Sequence, residues 1–220
     1  MNMRWLDINN LETRWEKATN ELISELKVKG INFEKLSCLE LFGRDGTWHV
    51  SIFDKIVKSL EIWEISKEWK FDLEKNFPDS TIRIVDSVKT IKNGSDLPKI
   101  DLLLIDNPMN VYKNSKGEKY CEHFDVIKEI HKFCKKEILV IFNVNRAPFD
   151  YDKYPEWKKF RDSFYKNSKT NELSIDFLHK FYEELFKKIG LETIFKINVT
   201  RVFYNNIDMT HYFAYYLRLK

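Results

Sequence analysis

The 220-residue chain carries 37 Lys and Arg against 34 Asp and Glu, a formal net charge of +3. That field is too weak to argue by itself for nucleic acid or an acidic membrane as partner. With 43% hydrophobic and 15% aromatic residues the chain can bury a substantial core, which excludes wholesale disorder, and its length suits one large domain or one domain with an appendage.

A helix is predicted over residues 11–29, where Leu11, Trp15, Leu22 and Leu26 share one face and Gly30 stops it. Residues 1–34 read as an N-terminal helical extension. From residue 35 onward short apolar runs alternate with amphipathic stretches, the pattern of an α/β domain with a parallel sheet, here expected to span 35–220. The predicted order is a strand over 36–42 (LSCLELF), a glycine-bearing turn over 43–46 and a helix over 47–58. A strand over 59–64 and a helix over 67–76, ended by Phe77-Pro78, come next. A strand over 81–85 leads into Asp86 and a short, ill-defined segment. IDLLLI, 100–105, is the clearest strand in the chain, followed by a helix near 122–134 and a strand over 137–143.

Residues 144–170 break this rhythm. Phe149, Tyr151, Tyr154, Trp157 and Tyr165 are interleaved there with Arg146, Lys153, Lys158 and Arg161, and a stretch of that length reads as an insertion or lid. A helix over 174–189 follows, with Ser174 as N-cap and Gly190 as its stop. Strands over 192–203 and 209–219, joined by Asn205-Asn206-Ile207-Asp208, form an antiparallel hairpin.

Three cysteines, Cys38, Cys121 and Cys134, show no CxxC spacing, so neither a zinc site nor a redox pair is expected and a reducing compartment suits them. The N-terminus has no apolar run for a signal peptide, and no window approaches a membrane span. A cytoplasmic protein without a membrane partner is expected.

Four polar motifs fall at the ends of the predicted parallel strands. In ELFGRDGTWH, 40–49, Glu40 and Phe42 lie near the end of the predicted strand and Gly43, Arg44, Asp45 and Gly46 form the turn that follows. The glycines permit a tight strand-to-helix turn whose amides can donate to a bound carboxylate, an ordinary glycine turn being the plain alternative. Glu64 ends LEIWE, where a carboxylate can accept both hydroxyls of a ribose; an exposed surface glutamate is the alternative. Asp86-Ser87 follows TIRIV, and both residue types favour a helix cap. Asp106-Asn107-Pro108-Met109 follows IDLLLI, at the strand ends where ligands of parallel sheets bind.

Element order and these motifs resemble the class I S-adenosylmethionine-dependent methyltransferases over approximately 36–220. The resemblance implies an α/β, Rossmann-like, doubly wound fold with a mostly parallel seven-stranded sheet and a C-terminal antiparallel hairpin. It implies S-adenosylmethionine as cofactor, held by Glu40, Phe42, Gly43, Arg44, Asp45, Gly46, Glu64, Asp86, Ser87, Asp106 and Asn107, with Asp86 facing the base as the alternative or complement to its capping role. Where the family places three glycines at alternate positions after the acidic residue, this chain has Phe42, Arg44 and Gly46. The fourth motif is faintly similar to the Asn/Asp-Pro-Pro-aromatic motif of amino-methyltransferases, with Met109 in place of the second proline and Asn110 in place of the aromatic.

His123, in KYCEHFD, is the general-base candidate, with Asp106 beside the acceptor; a core or helix-end histidine is the plain alternative, and His49 and His211 have weaker claims. No catalytic metal is expected, because Asn143 and Asn145 stand where a second carboxylate ligand is wanted after the fifth strand. The N-terminal helix and 146–165 are expected to cover the pocket. The acceptor, methylated on oxygen or nitrogen, is expected to be a small molecule or sugar, with nucleic acid and a homo-oligomer also compatible. Two alternatives stand beside this reading: an inactive methyltransferase-like binding subunit, and an NAD-dependent oxidoreductase using the same strand tips.

Overall fold

The computed structural model describes residues 8–94, 97–106, 111–114, 116–146, 151–204 and 207–220. Among them the elements run α1 (Ile8–Val28), β1 (Ser37–Glu40), α2 (Val50–Phe53), β2 (Ser59–Glu64), α3 (Lys70–Asn76), β3 (Thr81–Ile84), α4 (Ser87–Asn93), β4 (Ile100–Ile105), β5 (Val111–Lys113), β6 (Lys119–Cys121), β7 (Cys134–Asn145), α5 (Pro155–Tyr165), α6 (Ile175–Lys188), β8 (Leu191–Tyr204) and β9 (Ile207–Leu219). Short 3-10 helices occupy Phe33–Lys35, Lys67–Trp69 and Ile127–Phe133.

The main sheet has seven strands in the order β3-β2-β1-β4-β7-β9-β8. The first five of these pair in parallel, and β9 runs antiparallel to both β7 and β8, as the apolar runs and the terminal hairpin predict. Because side chains alternate across a pleated strand, each buried strand feeds two layers. Leu102 and Leu104 pack with Leu22 and Leu26 of α1 and with Phe53 of α2. Leu103 and Ile105 face the other way, into a core shared with Ile91 of α4, Phe164 of α5, and Tyr182 and Phe186 of α6. Strand order reverses at β1, whose neighbours are β2 and β4, and such a switch point opens a crevice beyond the strands' C-terminal ends.

The structure departs from the predicted elements in four places. The helix expected over 47–58 is only Val50–Phe53, since turns through Val57 must return the chain to Ser59 on β2. The ill-defined segment after Asp86 is helix α4, capped at its end by Gly94 in the left-handed conformation. The helix expected near 122–134 is a turn followed by a 3-10 helix, and β7 already begins at Cys134. Finally, β5 and β6 form a separate antiparallel pair that periodicity does not reveal.

Residues 144–170 are partly the end of β7 and partly α5. Trp157, Arg161, Phe164 and Tyr165 of α5 are buried, with the Phe164 ring stacked on Phe124 at 3.9 Å between centroids. Amphipathic packing, not a solvated excursion, explains their aromatic content.

Candidate functional site

A cavity of about 640 Å³ opens at the C-terminal ends of β1, β2 and β4. Glu40, Phe42, Gly43, Arg44, Glu64, Asp86, Ser87 and Asp106, predicted from separate motifs, all line it. Asp45 and Gly46 do not. The Asp45 carboxylate accepts from the Thr47 amide and hydroxyl at 3.2 and 2.9 Å, and Gly46, at φ +73°, turns the chain where a Cβ would strike the Phe77 ring. These two residues shape the loop beside the cavity. Asn107, Pro108, Met109 and Asn110 lie outside the described residues.

Glu64, 7% exposed at the tip of β2, accepts the Arg44 amide on Oε2 and the Ser66 amide on Oε1, each at 2.7 Å. Each carboxylate oxygen has a second lone pair, so the group is aimed by backbone and still able to accept. Asp86 is a helix cap and also lines the cavity. Its Oδ1 caps α4 through the Lys89 amide at 3.0 Å while Oδ2 accepts from Asn114 at 2.9 Å. The Ser87 hydroxyl donates to the Leu41 carbonyl at 2.6 Å, tying α4 to the end of β1.

Phe42 and Arg44, which replace glycines of the resembled motif, leave the cavity open. The Phe42 ring meets Tyr112 edge-on at 6.0 Å, and the Arg44 guanidinium lies over Trp69 at 5.8 Å. Arg44 takes φ +47°, keeping the left-handed turn that a glycine adopts more easily.

The floor of the cavity is an ionic cluster. Glu40, 1% exposed, accepts the Phe42 and Asp106 amides on Oε1 at 3.0 and 3.3 Å, and its Oε2 lies 3.1 Å from His49 Nε2. His49 Nδ1 lies 3.4 Å from Asp106 Oδ2. Burial works against a charged imidazole, but the Asp106 carboxylate, with Glu40 also bonded to the ring, raises the His49 pKa well above its ordinary value. The His49 ring thus bridges the carboxyl groups of Glu40 and Asp106, a setting that favours its protonated form. Asp106 also accepts from Asn143 Nδ2 and from Arg201 Nη1, each at 2.6 Å. Although burial would raise its pKa, Arg201 and His49 hold the Asp106 carboxyl well below the usual carboxylate range. A carboxylate held this acidic orients a neighbour and is a poor proton acceptor.

His123 does not belong to this site. It is fully buried among Phe124, Phe142 and Phe164, and its Nε2 lies 2.6 Å from the Tyr182 hydroxyl. Burial and the nearby Arg161 charge push its pKa down to about 3, so the ring is a neutral core residue and the general-base role expected of it is withdrawn. His49 instead lies in the cavity, since its helix is too short to carry it away. Arg201, Trp48 and Trp15 are among the other lining residues without a site role expected from sequence. The Trp15 and Trp48 rings are 5.8 Å apart, and Arg201 lies over Trp48 at 5.4 Å and over Tyr212 at 5.0 Å. Trp15 brings the N-terminal helix to the cavity as expected of a cover, whereas none of the described residues of 146–165 lines it.

No protein-family model matches the sequence, and no curated protein is significantly similar to it. Solved structures are. The N-methyltransferase NodS from Bradyrhizobium japonicum is similar at 9% identity over 94% of this chain and 97% of that one, with a TM-score of 0.56. The 1,6-didemethyltoxoflavin-N1-methyltransferase of Burkholderia thailandensis, with bound 1,6-didemethyltoxoflavin and S-adenosylhomocysteine, shares 11% identity over 97% and 81%, with a TM-score of 0.53. A methyltransferase candidate complexed with S-adenosylhomocysteine shares 12% identity over 94% of this chain and 49% of its own length, with a TM-score of 0.61; this chain spans about half of it. At such identities the likeness is one of architecture: the chain has the class I S-adenosylmethionine-dependent methyltransferase fold.

Proposed function

We propose that the chain is an S-adenosylmethionine-dependent methyltransferase. The observation that carries this reading is that Glu40, Glu64, Asp86 and Asp106, from the ends of four parallel strands, meet around one cavity. The donor set fits a nucleoside joined to an amino acid. Glu64 has lone pairs for a ribose, Asp86 and Ser87 lie near apolar Val88 and Ile65 for a base, and the cluster of Glu40, His49, Asp106 and Arg201 presents both charges to a zwitterion.

The cofactor, when bound, supplies a methyl group already activated on a sulfonium. The chain's own contribution is alignment and exclusion of water. Backbone amides fix Glu64 and Glu40, so neither reorganises to receive a ligand. Asp106, held ionised by Arg201 and His49, accepts a hydrogen bond from the acceptor and steadies positive charge growing on it. Trp15 and Trp48 cover that end. The acceptor is a small molecule, because a cavity of this volume lies within the usual 300 to 1,000 Å³ of small-ligand sites and must hold cofactor as well; methyl transfer to nitrogen or oxygen is compatible with it. A cytoplasmic setting accords with the three buried free thiols, and no helix among the described residues is long and apolar enough to cross a membrane.

Calorimetry of the full chain with S-adenosylmethionine, S-adenosylhomocysteine and NAD tests the reading. Both sulfur compounds are expected to bind and NAD to bind more weakly. Preference for NAD would favour an oxidoreductase, and binding of none of the three a non-catalytic subunit.

A further inference from the structure

We propose that Arg201 is a carboxylate-docking residue of this cavity, presenting its guanidinium fork to a ligand acid; the proposal rests on reading the cavity as a methyltransferase site and adds to it the class of group that its far end recognises. Arg201 lies on β8, outside every motif of the resemblance, and is 9% exposed on the cavity wall. A guanidinium carries five N–H donors. Arg201 directs Nη1 to Asp106 Oδ1 at 2.6 Å and, more weakly, Nη2 to Oδ2 at 3.5 Å, which leaves donors over.

Asp106 is also held by His49 and Asn143, so its hydrogen bonding does not call on the donors of Arg201 beyond the Oδ1 and Oδ2 contacts. Two aromatic rings also flank the guanidinium. It lies over Trp48 at 5.4 Å and over Tyr212 at 5.0 Å, and contacts with both rings restrict its movement. A planar, pre-aimed fork selects a flat oxyanion that can take two parallel hydrogen bonds, and it discriminates against the amide of the same shape. Two ligands bring such a group to this place: the amino-acid end of the cofactor, or an acidic acceptor lying against Trp48 and Trp15.

The test uses the full-length protein and the variants Arg201→Gln and Arg201→Lys in two arms. In the first, calorimetry compares S-adenosylmethionine with its decarboxylated form. In the second, with S-adenosylhomocysteine saturating, ligand-observed NMR compares benzoate with benzamide and indole-3-acetate with indole-3-acetamide. The wild type is expected to prefer the acid in one arm by about tenfold or more. Arg201→Gln is expected to abolish that preference, and Arg201→Lys to keep the charge but lose part of it. Loss in the first arm assigns the carboxylate to the cofactor, and loss in the second to the acceptor. A preference unchanged by either variant, or absent from the wild type in both arms, overturns the proposal. If Arg201→Gln does not fold, as judged by its thermal transition, the lysine variant decides. Failure of the wild type to bind S-adenosylmethionine, its decarboxylated form or S-adenosylhomocysteine overturns the methyltransferase reading and this proposal with it. Normal cofactor binding with no movement on substitution overturns only the role of Arg201.

Discussion

Asp106, just beyond the end of β4, and Arg201, on β8, are 95 residues apart in sequence and meet at 2.6 Å. Their contact ties the parallel half of the sheet to its antiparallel edge across the cavity. With Glu40 and His49 it completes a cluster of two carboxylates and two cations, a balance that lets four ionisable groups share one buried floor. Removing one member leaves the others uncompensated, which is costlier than the intact cluster is favourable.

Glu64→Ala is expected to weaken binding of S-adenosylhomocysteine about 10- to 100-fold, the equivalent of losing charge-assisted hydrogen bonds worth about 1.5–3 kcal/mol. The fold is expected to survive, because the Arg44 and Ser66 amides that Glu64 holds belong to an exposed and a partly exposed loop residue, outside the core. Calorimetry and a thermal melt on one sample check both halves. Unchanged affinity means that the ribose contact is misassigned.

His49 is expected to be doubly protonated at pH 7.5. Its folded pKa is raised, so its contribution to stability is complete below the unfolded value of about 6.5 and declines as pH rises through the folded value. Nitrogen-15 shifts of the imidazole read this directly: two protonated nitrogens are predicted, and a neutral tautomer contradicts it. His49→Gln is expected to cost about 3–5 kcal/mol in denaturant unfolding, since Glu40 and Asp106 then face each other without the bridging cation.

Much of the fold is legible because strands covered on both faces must be nearly continuously apolar, as IDLLLI is apart from Asp101. The strand-end carboxylates are legible for a related reason: Glu40, Glu64, Asp86 and Asp106 each end or closely follow an apolar run, where a buried charge needs a purpose. Other features are hidden. The pair β5 and β6 has three residues in each strand, too few for any period to register. The segment after His123 does hold a signal that a helical reading overlooks: Phe124, Ile127, Ile130 and Phe133, all buried, recur at a spacing of three. That is the period of a 3-10 helix, not of an α-helix. Arg201 gives no local clue, because its partner is far along the chain and only the finished sheet joins them.

His123 supplies a test of the correction made to its role. Its pKa is lowered to about 3 by burial and by Arg161, whereas in the unfolded chain it titrates near 6.5. The unfolded state therefore binds the extra proton in that interval, and stability falls with decreasing pH at no more than about 1.4 kcal/mol per unit from this group. His179, lowered by burial, adds in the same direction, while His49, raised, opposes them near pH 7 and ceases to do so below about 6.5, so the decline is steepest between pH 6 and 5. Urea unfolding at pH 7, 6 and 5 is expected to show the decline, with a flatter slope in His123→Phe. A variant with the wild-type slope contradicts a buried neutral His123.

Arg161→Met separates the core from the site. Arg161 and Glu122 form a fully buried pair at 2.6 Å, and Arg161 Nη2 also donates to the Asn145 carbonyl at 2.7 Å. Loss of the guanidinium is expected to cost about 3–5 kcal/mol in stability. Binding of S-adenosylhomocysteine is expected to be unchanged where the variant remains folded, because neither residue lines the cavity. A selective loss of affinity in a stable variant contradicts that separation.

The most direct measurement is a crystal structure of the chain with S-adenosylhomocysteine. The account predicts the ribose hydroxyls on the Glu64 carboxylate, the base beside Asp86 and Ser87, and the amino-acid end over the cluster of Glu40, His49 and Asp106. A ligand seated elsewhere on the protein, or one in this cavity that leaves Glu64 without a contact, contradicts it.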